Sequence, residues 1–176
     1  MLSKEEDFTH EKLSNGVHLI AKASDLNVPV WQMVSAVLDG VPLRAATWWT
    51  TPPIFSTTAA TKIGCWSSTL GKPGPVEIAT SGHWAGKEFS LEGGPSADRN
   101  HAKIGVSTSG SHHYAIFGDE NQQGAVSPSK VAKGPKCDSS QNGRGGIFYV
   151  MEDADLFASM TDLLRGGTAP TKAPVQ

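Results

Sequence analysis

Two groups of side chains in this chain are of the types that do chemistry. His83, Asp98 and His101 offer imidazole and carboxylate donors which, if they converged around one open position, would hold a zinc ion and activate a water. Cys65 and His113 offer a thiolate with an imidazole base, the pair needed for nucleophilic attack on an amide carbonyl. Each set lacks part of what its chemistry requires. Cys65 is followed by Ser67, Ser68, Gly71, Pro73, Gly74 and Pro75, which build no helix whose N-terminus would lower the thiol pKa. It reads better as a buried, inert residue beside Trp66. Cys137 has neither a CxxC partner nor a nearby histidine, so structural zinc is not expected. Gly143-Arg144-Gly145-Gly146 leads into a strand rather than a helix and reads as a turn, not a phosphate cradle. No catalytic residue, metal ligand or cofactor site is assigned.

Two fragments resemble hydrolase motifs. Ser81-Gly82-His83-Trp84-Ala85-Gly86-Lys87-Glu88-Phe89-Ser90 resembles the Ser-x-His-x-x-Gly-x-Ala-x-Asp signature of zinc D-Ala-D-Ala and L-Ala-D-Glu peptidases, in which the His and the closing Asp bind metal. Ser90 stands at that Asp position, and a hydroxyl is a poor ligand in place of a carboxylate. Gly64-Cys65-Trp66 with the later His113-Tyr114-Ala115-Ile116-Phe117 is similar to the NlpC/P60 and CHAP amidases, which implies Cys65 as nucleophile and His113 as base.

The aromatic residues point to contacts rather than catalysis. Adjacent Trp48 and Trp49 on a strand face opposite ways, so one leaves the main core and suits an interface. Leu156, Phe157, Met160, Leu163 and Leu164 form one apolar helical stripe that must lie on a sheet, its own or a neighbour's. Trp48, Trp49, Leu156, Phe157 and Met160 are therefore the expected interface residues.

These side chains must be positioned by a body of limited size. At 176 residues the chain is one domain's length. A formal net charge of −2 argues against nucleic acid as the main partner. Cys65 and Cys137, far apart and without a visible signal peptide, read as free thiols. The longest apolar-leaning stretch, 28–38, is too short to cross a bilayer. Short apolar runs at 17–21, 43–50, 63–67, 76–80, 83–91, 102–108, 113–117 and 147–150 are strand candidates between Gly, Pro, Asn and Asp clusters. Val30, Trp31, Val34, Val37 and Leu38 recur at helical spacing after Pro29, so a short helix is expected near 28–39 despite its valines. The stretch 152–165 reads as a capped helix, with acids first and Arg165-Gly166-Gly167 closing it. The polar loop 118–146 is long enough to be a binding extension. The expected architecture is mainly β (α+β): an antiparallel β-sandwich, barrel or bent sheet over 16–165 with a C-terminal amphipathic helix. An N-terminal arm (1–15) and an extended tail (166–176) flank it.

Two further fragments resemble phage structural proteins. The segment 153–167 is similar to the helix that follows the sheet in coat proteins of small RNA bacteriophages. Ser3, Lys4 and Glu5 with Phe8, Thr9 and His10 are similar to the capsid-gripping arm of a lambdoid head decoration protein. The function expected from the sequence is a non-enzymatic virion subunit, a coat, head decoration or tail component. It would be made in the host cytoplasm and assemble with copies of itself or other virion subunits through sheet edges and arms. The alternatives are a zinc or cysteine cell-wall peptidase or amidase, and a carbohydrate-binding β-domain.

Overall fold

The computed structural model describes residues 7–47, 53–129 and 134–171. In chain order its elements are β1 (Phe8–Lys12), β2 (His18–Lys22), α1 (Val30–Val37), β3 (Leu43–Thr47), β4 (Val76–Ile78), β5 (Ser81–Trp84), β6 (Lys87–Ser90), β7 (Lys103–Ser107), β8 (Tyr114–Gly118), β9 (Gly146–Glu152) and α2 (Ala154–Leu163). The expected mainly-β body is present, with both helices where their patterns placed them. Seven strands make one open sheet in the order β1-β2-β9-β8-β7-β3-β4, while β5 and β6 form a separate hairpin. Neighbours are antiparallel except β3 and β4, which run parallel and are joined by the long crossover that parallel pairing requires.

Period-two alternation divides the strands between two cores. Leu43, Ala45, Ile78, Tyr114, Ile116, Phe148, Val150 and Ile20 face α1, whereas Ala46, Ala79, Val106 and Ala115 face α2. α1 is buried at every position except Val37, and Trp31 meets Phe148 edge-on at 5.4 Å. That burial overrides the weak helix preference of its valines. Trp31 fits because β7 carries Gly105 beneath it; a Cβ there would lie 2.7 Å from the indole. α2 opens with the Asp153 carboxylate accepting the Leu156 N–H at 2.8 Å. Met160 and Leu164 are buried against the alanine-floored face, and Leu156 and Phe157 are partly buried there. The surface the stripe needed is therefore the chain's own sheet.

Several local expectations need correction. The run 63–67 is not a strand; its glycine and cysteine lie in irregular chain tied to the loop after β8. The described part of the N-terminal arm is β1, paired along its whole length with β2. The described part of the tail, 166–171, folds back on its own molecule: Ala169 N–H donates to Ile78 O at 2.8 Å, and Ala169 itself is buried. Arg44 grips this tail. Its five N–H donors reach Leu164 O (2.7 Å), Glu77 Oε2 (3.0 Å), Thr168 Oγ1 (2.6 Å), Gly166 O (3.1 Å) and Gly167 O (2.8 Å). The guanidinium's whole donor inventory is used.

Candidate functional site

The chain between β3 and β4 and the chain between β8 and β9 lie together as a loop layer over the α1 side. Both are rich in serine and threonine, which favour turns and side-chain-to-backbone bonds over regular elements. Ile54 N–H donates to Gln122 O at 3.2 Å, while Gly64 and Cys65 N–H both donate to Val126 O at 2.8 and 3.0 Å. The layer is stapled by a disulfide between Cys65 and Cys137. This overturns the expectation of free thiols and removes Cys65 as a nucleophile: sequence distance hid a pairing that the two loops create in space.

Two cavities open in this layer. One, of about 260 Å³, lies between Phe55 and Ser56 on one wall and Val126, Ser127 and Ser139 on the other. The second, of about 360 Å³, is bounded by Thr58, Ile63, Trp66, Leu70 and Lys72. Thr57 and Thr61 line both, so the cavities adjoin as one cleft. Trp66 is partly buried, packs on the α1-side core and is held by its indole N–H on Gly71 O at 3.2 Å. Some of the cleft's hydroxyls serve the fold: Ser56 Oγ donates to Ala169 O and accepts from Ile78 N–H, and Thr57 Oγ1 accepts from the buried Gln32 amide. Among the described residues the hydroxyls of Ser127 and Ser139 have no hydrogen-bond partner. Among the described residues Lys72 is the one charged side chain lining the cleft. Among the described residues no carboxylate lines it. Hydroxyls, an indole and apolar side chains of this kind can contact an uncharged molecule through hydrogen bonds and apolar surface.

Beneath the cleft the α1-side core is polar. Gln122 donates to Gln32 at 3.0 Å, and Asn142 exchanges side-chain bonds with the backbone of Ala125. Lys22 is buried, its ammonium donating to the carbonyls of Asn142 (2.8 Å), Ala23 (3.3 Å) and Arg144. Its pKa is lowered by burial, with Glu120 and Asp25 opposing. Glu120, also buried, has neither carboxyl oxygen hydrogen-bonded, and burial pushes its pKa up to about 7 against the opposing pull of Lys22.

The residues singled out from sequence are dispersed. His83 lies on the β5–β6 hairpin with Nδ1 on Arg165 O, and Asp98 is fully exposed, its carboxyl held below its usual value by the Ser96 hydroxyl. Among the described residues no three His, Cys, Asp or Glu side chains are placed to hold a metal. His113 stacks on Phe157 with centroids 4.8 Å apart, on the α2 side, while Cys65 is in the loop layer. Trp48 and Trp49 lie outside the described residues. Among the described residues the exposed tryptophan is Trp84, 59% accessible near the turn of the β5–β6 hairpin, with Phe89 at 37%. The cleft residues were missed because isolated Ser and Thr carry no spacing signature. The available signal was that both cysteines sit in Ser/Thr-rich loops.

No protein-family model, no curated protein and no solved structure matches this chain.

Proposed function

We propose that this protein is a non-enzymatic binding domain that holds a neutral, hydroxyl-rich ligand, a carbohydrate chain, in the stapled cleft. The observation that carries this reading is the composition of the cleft: Thr57 and Thr61 shared by its two cavities, Ser127 and Ser139 lining one and the indole of Trp66 the other, with no carboxylate among the described residues that line it. Sugars present hydroxyls to such side chains and apolar C–H faces to an indole, and a mostly apolar pocket with a few convergent polar groups suits a small ligand. The disulfide supports a working place outside a reducing cytoplasm, where secreted proteins and particle surfaces reside. Titration calorimetry with neutral oligosaccharides tests the reading. Trp66→Ala is expected to weaken binding about tenfold, the value of one stacking contact, with circular dichroism and the thermal midpoint reporting the separate cost of its packing on the core. Equal binding by Trp66→Ala, or no neutral glycan bound by the folded protein, would sink it.

A second reading, a subunit of an extracellular particle such as a virion, is favoured by the hairpin that exposes Trp84 and Phe89, since tryptophan anchors are typical of interfaces. On this reading contact runs through the hairpin and not through sheet edges. β4 is covered by the tail, and β1 carries Glu11 and Lys12, charges that discourage pairing. Light scattering at micromolar concentration separates the two: an oligomer dispersed by Trp84→Ser favours the particle, a monomer disfavours it.

A further inference from the structure

We propose that β1 is an acid-released edge strand, let go when a second proton enters the row of side chains that begins at His10 and His18. The row runs across one end of the sheet on the α1 side. His10 Nε2 and His18 Nδ1 share a hydrogen bond at 2.9 Å, with the rings stacked 5.1 Å apart. His18 meets the edge of Tyr114 at 6.1 Å, His112 stacks on the other part of Tyr114 at 5.0 Å, and His112 Nδ1 contacts Glu152 Oε1 at 2.5 Å.

The two ends of the row answer a proton differently. His112 is placed on a carboxylate, so a proton arriving there makes an ion pair between the start of β8 and the end of β9. His18 is placed among cations. Lys12 is its direct cross-strand partner and His10 its hydrogen-bond partner, both on β1, and its buried Nε2 has no hydrogen-bond partner among the described residues. A His10 ring with both nitrogens protonated can donate to neutral His18 and keep the bond. A second proton must be placed on His18, where each ring nitrogen becomes a donor and His10 can no longer accept. The groups facing His18 are His10 and Lys12 from β1, Glu152 from β9, and His112 with Tyr114 at the start of β8; Asp39 acts on Tyr114. Burial first, then His10 and Lys12, hold the His18 pKa below its ordinary value, with Glu152 opposing.

The element that repels charged His18 is thus mainly β1, and the one that attracts it is β9. β1 is also an edge strand, held in the sheet by β2 alone. Acid therefore frees β1 and leaves β2 on β9, with its outer backbone groups open to pairing. The sign follows: a depressed histidine pKa gives stability that is present above about pH 6.5 and is lost as pH falls through the folded value.

Amide hydrogen exchange, corrected for the intrinsic pH dependence of the chemistry, tests this on the intact chain. Between about pH 6.5 and the folded His18 value, protection across β1 is expected to fall by up to about tenfold per pH unit and to level off below it, while β8 and β9 keep theirs. His18→Gln is expected to abolish the step, and Lys12→Gln to make it smaller, because the folded His18 value then lies closer to the ordinary one. Unchanged protection in β1, loss with the same midpoint in His18→Gln, or simultaneous loss in β1, β8 and β9 would each overturn the proposal.

Discussion

The two sides of the sheet are closed by different means. On the α2 side the sheet contributes mainly small residues, Ala46, Ala79 and Ala115, and one amphipathic helix lays Met160 and Leu164 on them. On the α1 side the helix is overlain by irregular chain, and the interior holds Lys22, Glu120, Gln32, Gln122 and Asn142. The dry side is a packing solution that needs few polar devices. The wet side needs backbone carbonyls, amides and a covalent staple to stay closed, and that arrangement leaves room for cavities.

Breaking the staple gives the largest expected effect. Replacing Cys65 and Cys137 by serine releases a loop of 72 residues' separation, worth about 4 kcal/mol on chain-entropy grounds. A fall in thermal midpoint of roughly 10 °C is the outcome to check by calorimetry, together with loss of ligand binding in the cleft. Next comes Met160→Ala on the dry side, expected to cost about 2–4 kcal/mol by denaturant titration because it empties a buried site. It should leave glycan affinity unchanged; a loss of affinity there would dissolve the distinction between the two sides. The smallest effect sharpens the polar side. Glu120 has a raised pKa, so its contribution is full below the ordinary carboxyl value and is lost as pH rises through about 7. Glu120→Gln should flatten that decline and gain roughly 2 kcal/mol over the parent above pH 8, read from denaturation midpoints across pH.

How much of this was legible in the sequence follows the same division. α2 was readable because its stripe, its Asp153 cap and its closing glycines all act within a few residues of one another. α1 was readable from spacing even though its valines argued otherwise, since burial decides for a short helix. Strands β2, β3, β4, β7, β8 and β9 announced themselves by apolar runs, while β1, with two partly buried and three exposed residues, passed for an arm. The disulfide was not legible, because it depends on two irregular loops meeting over α1. The cleft was hidden for the same reason: its walls come from two loops far apart in the chain, after β3 and after β8, and serine and threonine have no period to betray them.

The Arg44 clamp carries a consequence for how the molecule is made. Its acceptors at 164, 166, 167 and 168, and β9, which joins the β1–β2 hairpin to the remaining strands, all leave the ribosome after Arg44 and after β1 to β8. Nascent chain up to about residue 145 therefore has two unconnected half-sheets and a guanidinium with no carbonyls from 164–168 to hold. Joining the half-sheets and closing the clamp are long-range events, the kind of non-local pairing whose loop-closure entropy slows folding.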